Sequence, residues 1–144
     1  NVVFAPKIGR LIQRFGERKS LIFEYVGLSM IFAGYAFVES STVAVFLYIA
    51  DHLFFSIAIA LKTYFQKIAD PADIASSAGV SFTINHIAAV FIPVVFGLIW
   101  LYSPSLVFLA GAGMACVSLL LAFNMPSEPT PGNEVLMGKV KNYI

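Results

Sequence analysis

The chain has 144 residues, 59% of them hydrophobic and 12% charged, with a net charge of +1. Soluble domains run at roughly 45–50% apolar and about 25% charged, and one of this size buries only about two thirds of what its unfolded chain exposes. A soluble globule and a nucleic-acid binder, which needs a basic face, are excluded; the composition is that of a membrane chain.

The chain opens at Asn1 without a signal-peptide pattern, and Val2–Pro6 reads as the last turn of a helix whose body is absent, so a piece of a longer protein is expected. Lys7, Arg10, Arg14, Arg18 and Lys19 then make a basic loop. A hydrocarbon core of about 30 Å needs roughly 20 apolar residues in a helix. Four stretches qualify: Ser20–Val38, Val43–Phe65, Gly79–Tyr102 and Ser105–Met125. Helices satisfy their own backbone hydrogen bonds in lipid, so the fold class is all-α transmembrane. The chain divides into a helix end and basic loop over 1–19, a four-helix region over 20–125 and a flexible tail over 126–144, where Pro126, Pro129, Pro131 and Gly132 block helix continuation.

The connections fix an orientation. Val38–Thr42 and Ser103–Pro104 are short and carry no Lys or Arg, whereas all nine cations fall on the other side, with Lys62 within a turn of it. Cations concentrate in cytoplasmic loops, so both ends of the chain are expected in the cytoplasm, and Trp100 and Tyr102 at the opposite interface. Asp70-Pro71-Ala72-Asp73 reads as a helix start that carries the third span below the membrane, and Pro93 permits a kink within it. The lone Cys116 reads as a small core residue.

Ionisable groups inside a span are costly and therefore candidates for function. On a regular helix, Tyr48, Asp51, His52, Ser56, Lys62, Thr63 and Gln66 fall within an arc of about 140°, one polar stripe on the second span. Asp51 and His52 are the candidates there for substrate binding or proton coupling, against a structural ion pair as the bland alternative, with Tyr48 on the same stripe. The third span has Ser77, Ser81 and Asn85 at four-residue spacing, with His86 beside them; Asn85 and His86 are further candidates, against interhelical hydrogen bonding. Lys62 reads as an interfacial snorkelling residue and Glu24 as a partner of the basic loop. Gly111, Gly113 and Ala115 suit close helix packing in the fourth span. A shared metal site is not expected: Asp51 lies about 12 Å and His86 about 21 Å from the outer face, too far apart axially for common ligands. No cofactor is expected, and no nucleophile–base or phosphate-loop motif supports an enzyme.

The segment Gly9-Arg10-Leu11-Ile12-Gln13-Arg14-Phe15-Gly16-Glu17-Arg18-Lys19 resembles the loop signature of the major facilitator superfamily, G-x-L-x-D-R-x-G-x-[RK]-[RK]. Gly9, Leu11, Arg14, Gly16, Arg18 and Lys19 match; Gln13 stands where the signature has an acidic residue. Four spans following the signature resemble its second copy, which implies the end of helix eight and helices nine to twelve, part of the C-terminal six-helix bundle of a twelve-helix transporter. In that family helices ten and eleven line the cavity, the two that carry the polar residues here. The resemblance implies a secondary transporter of a small solute in the plasma (inner) membrane, with proton or ion coupling, whose partners are the lipid bilayer and the preceding helices of the same protein. The alternative from the residues alone is a non-transporting tetraspan scaffold.

Overall fold

The computed structural model describes residues 9, 10, 12, 14–131 and 133–137. Gly9, Arg10, Ile12, Arg14 and Phe15 have helical backbone, and Gly16 ends that run. Its φ of 84° and ψ of 154° lie where side chains are rarely tolerated, so the chain turns there and restarts as α1, Glu17–Phe37. A short extended connection leads to α2, Ser41–Phe55. A 3₁₀ turn, Ser56–Ala58, joins α2 to α3, Ile59–Ile68. Then come α4, Ile74–Tyr102, and α5, Pro104–Phe123, with Pro104 in the first turn, where its missing N–H costs nothing.

Among the described residues, four helices are long and apolar enough to cross a membrane: Glu17–Phe37, Ser41–Ile68, Ile74–Tyr102 and Pro104–Phe123. Each expected span falls on one of them, with different limits. The first helix begins at Glu17 because the break is at Gly16. The third begins at Ile74, ahead of Gly79, but after the Asp70–Asp73 segment. There Asp70 caps a turn of its own: Ala72 N–H donates to Asp70 Oδ1 at 2.9 Å and Asp73 N–H to the Asp70 carbonyl at 2.9 Å. α4 runs through Pro93 as one helix.

α1 is the centre of the packing. It lies mainly against α5, and also against α2, the 3₁₀ turn and α3. Glu17, Ser20, Leu21, Glu24, Gly27 and Ile31 make its buried face. Gly27 permits closest approach to the second span: a Cβ there would run into the Phe54 ring. Gly111 lets α5 reach Phe32, while Gly113 faces open space and takes no part in the close packing expected of it. A small core of Leu21, Ile57, Ala60, Tyr64 and Ala122 gathers at the Glu17 end. α4 has no buried residue, and packs against α5.

The 3₁₀ turn corrects the polar stripe. A 3₁₀ residue advances the chain by about 120° rather than about 100°, so three of them add about 60° to everything beyond. Lys62, Thr63 and Gln66 are rotated by that amount from Asp51 and His52, and the arc widens to about 180°.

Candidate functional site

The sequence candidates on α2 form a local group. His52 Nδ1 lies 3.0 Å from the Tyr48 carbonyl and 3.7 Å from Asp51 Oδ2. A carbonyl only accepts, so Nδ1 is the donor in that bond, and Nε2 has no partner among the described residues. The Tyr48 and His52 rings are 4.2 Å apart. Tyr48 and His52 are exposed and Asp51 is half-buried. Ser56, next on the stripe, donates to the His52 carbonyl at 2.8 Å.

On α4, His86 repeats the arrangement: Nδ1 is 3.0 Å from the Phe82 carbonyl and the two rings are 3.9 Å apart. Asn85 and His86 are exposed. No hydrogen bond or ion pair among the described residues joins them to Tyr48, Asp51 or His52. Each helix thus presents one imidazole with a free Nε2. A ring nitrogen beside a carboxylate on α2, and another beside an amide on α4, can bind hydrogen-bonding groups of a solute. No group of three His, Cys, Asp or Glu able to hold a metal ion occurs among the described residues.

The basic loop is tied to two other spans. Lys67 Nζ, at the end of α3, is 2.6 Å from Glu17 Oε1, and the Glu17 side chain is 5% exposed. Arg18 Nη2 donates to the Phe123 carbonyl at 3.1 Å, and Nη1 to Ser127 Oγ at 3.4 Å. A guanidinium at the last carbonyls of α5 also meets the negative end of that helix. Arg14 and Lys19 are exposed and Gly9 half-buried; Leu11 lies outside the described residues, as do Val2–Pro6, Lys7, Gln13, Lys139 and Lys141.

Beyond α5 the chain folds back on this end. Met125, Pro126 and Pro129 are buried, the Tyr64 hydroxyl donates to the Glu134 carbonyl, and Leu136 N–H donates to the Asn124 carbonyl at 2.8 Å. Met137 N–H donates to Asn124 Oδ1 at 2.6 Å. Sequence reasoning missed Tyr64, Lys67 and Asn124 as contact residues; each is an ordinary residue for its position, and only the meeting of distant segments gives it a role.

Glu24 departs from its expected pairing with the basic loop. It is 2% exposed on the inner face of α1, and Oε2 has no hydrogen-bond partner. Among the described loop cations, Arg18 sits at the end of α5, and Arg10, Arg14 and Lys19 are exposed.

Two cavities accompany these features. One of about 430 Å³ lies between α1, α4 and α5, with walls of Phe32, Phe96, Val107 and Met114 and polar groups only at Tyr25 and Ser118. The other, about 350 Å³, is lined by Phe15, Lys19, Ser20, Phe23 and Ile57. Neither is lined by Tyr48, Asp51, His52, Asn85 or His86. No protein-family model, curated protein or solved structure matches the chain.

Proposed function

We propose that the chain is the C-terminal part of a secondary transporter of the major facilitator type, moving a small solute by alternating access across the plasma (inner) membrane, with both ends of the chain in the cytoplasm. The observation that carries this reading is the behaviour of the loop segment Gly9–Lys19. Its Gly16 has a backbone conformation that requires glycine, and its next two residues hold the ends of two other spans, Glu17 through Lys67 and Arg18 through Phe123. A loop that only set topology would need its charge and none of this geometry.

In this reading the exposed polar faces of α2 and α4 border a cavity completed by the preceding helices of the same protein. Asp51, His52, Asn85, His86 and Tyr48 contact the solute or carry the coupling proton or ion. The chain has no enzymatic role and no cofactor.

The test is transport by the full-length protein in proteoliposomes. Gradient-driven uptake or efflux that is lost on Asp51→Asn supports the reading. Wild-type rates in that variant at all pH values remove Asp51 from the mechanism. A full-length protein that moves no solute and has no further spans upstream is instead the non-transporting tetraspan scaffold.

A further inference from the structure

Glu17 and Glu24 are both buried on one face of α1, two turns and about 10 Å apart along the axis. Lys67 closes on Glu17 at 2.6 Å, and no ion pair to Glu24 is seen among the described residues. Arg18 is turned to the Phe123 carbonyl and Ser127. Glu24 Oε2 is enclosed without a hydrogen-bond partner among the described residues.

The elements packed on α1 bring little else to it. α3 contributes Tyr64 and Lys67, whose partners are Glu134 and Glu17, and Lys62, which is exposed. The 3₁₀ turn has no ionisable residue. On α2, Phe54 meets Gly27, so Tyr48, Asp51 and His52 lie nearer the other end of the bundle. α5 has only Cys116, which is set against Ser29 Oγ at 3.6 Å. On α1 itself Tyr25 is the neighbour in sequence.

A bare carboxylate in such packing is strongly disfavoured without a counter-charge. A calcium or magnesium site draws on several carboxylates, and no group of three His, Cys, Asp or Glu able to hold a metal ion is present among the described residues. A proton needs one oxygen. We propose that Glu24 is a proton-binding site built into the first span, occupied when α1 is packed as seen here. Release of the proton to water leaves a carboxylate that must be met by water or a cation. Deprotonation is therefore tied to an opening of α1 from its neighbours, by the reciprocity of linked equilibria. In one respect this rests on the transport reading: if the protein transports, the coupling ion is the proton, and Glu24 carries it.

The experiment is infrared spectroscopy of the full-length protein in lipid nanodiscs, titrated from acid to alkaline pH. The expected result is a carbonyl stretch of a protonated carboxyl that gives way to carboxylate bands on alkalinisation and is lost in Glu24→Gln. Glu24→Asp should retain the band at a shifted frequency, and it serves where Glu24→Gln does not assemble. A carbonyl region identical in the wild type and both variants overturns the proposal. Gradient-driven transport separates the two readings. Loss of proton-driven uptake in Glu24→Gln supports the coupling role, and uptake unchanged there overturns it. A protein that transports nothing while the band behaves as stated sinks the transport reading and leaves the proton site in place.

Discussion

Lys67 Nζ lies 2.6 Å from Glu17 Oε1, joining the end of the second span to the first residue of the first. The two partners are not equivalent. The Glu17 side chain is 5% exposed and the Lys67 side chain 52%, so the carboxylate depends on the pair far more than the ammonium does.

Removing the ammonium should therefore be costly. Lys67→Ala leaves a buried carboxylate unpaired, and about 2 kcal/mol of stability should be lost, in the range for a buried group stripped of its partner. Glu17→Gln should lose less, because an exposed lysine returns to water. Thermal unfolding of the purified protein in detergent, arranged as a double-mutant cycle, measures both and the coupling between them. Equal losses from the two variants would contradict this asymmetry.

The two loop glycines should respond in opposite directions. Gly16→Ala forces a side chain onto a φ of 84° and should cost about 1–3 kcal/mol. Gly9 has helical backbone and nothing within 4 Å of where a Cβ would stand. Gly9→Ala should be neutral or stabilising by up to about 1 kcal/mol, as glycine is a poor helix former. Melting temperatures of the two variants decide the matter.

Gly27 and Phe54 should be coupled. A Cβ at Gly27 runs into the Phe54 ring, so Gly27→Ala should cost about 1–3 kcal/mol by overpacking. Adding Phe54→Leu, which opens that space, should recover part of the loss, whereas Gly113→Ala, which meets nothing, should be neutral or stabilising by up to about 1 kcal/mol, as at Gly9. No recovery in the double variant would show that the two helices do not meet there.

Arg18 should hold the chain beyond α5. Arg18→Ala removes the donors to Phe123 and Ser127, and Tyr64→Phe removes the donor to Glu134. Each variant should speed protease cleavage within 124–137, and the two together should do so more than either. Arg18→Lys should behave as Arg18→Ala, since one ammonium does not reach both oxygens in the guanidinium's planar fork. Cleavage at the wild-type rate in all four variants would mean that these bonds do not secure the segment.

Orientation has its own check. With the basic side in the cytoplasm, Ser41→Cys should react with an impermeant thiol reagent applied to intact cells. Reaction only after lysis would invert the topology.

The four spans were legible because long apolar runs have few alternatives. Their limits moved where polar residues continue a helix, as Ser76 and Ser77 do at the start of α4, or where glycine geometry sets the break, as at Gly16. Tyr48, Asp51 and His52 were legible as a group because spacings of three and four fix neighbours on any helix. The 3₁₀ turn was not: Ser56-Ile57-Ala58 contains neither Gly nor Pro, so nothing local announces it. The relation of Asn85 and His86 to Asp51 was equally hidden, since it depends on which helices pack together. The contacts of Lys67, Tyr64 and Asn124 join segments far apart in sequence. The proline-rich composition after Met125 says where a helix stops and is silent on where the chain goes next.

The lengths of the first two spans have a geometric consequence. Glu17–Phe37 has 21 residues and Ser41–Ile68 has 28, about 32 Å against about 42 Å of helix. They are fastened together at both ends, by the short connection after Phe37 and by Lys67 on Glu17. The difference of about 10 Å between two rods joined at both ends has to be taken up by slant, by bowing, or by the reach of the connection and of the Lys67 and Glu17 side chains. The turn at Ser56–Ala58 lies near the middle of the longer rod, where a bow has its greatest curvature. The ion pair at one end is thus a geometric constraint as well as an energetic one on the rod that carries Asp51 and His52.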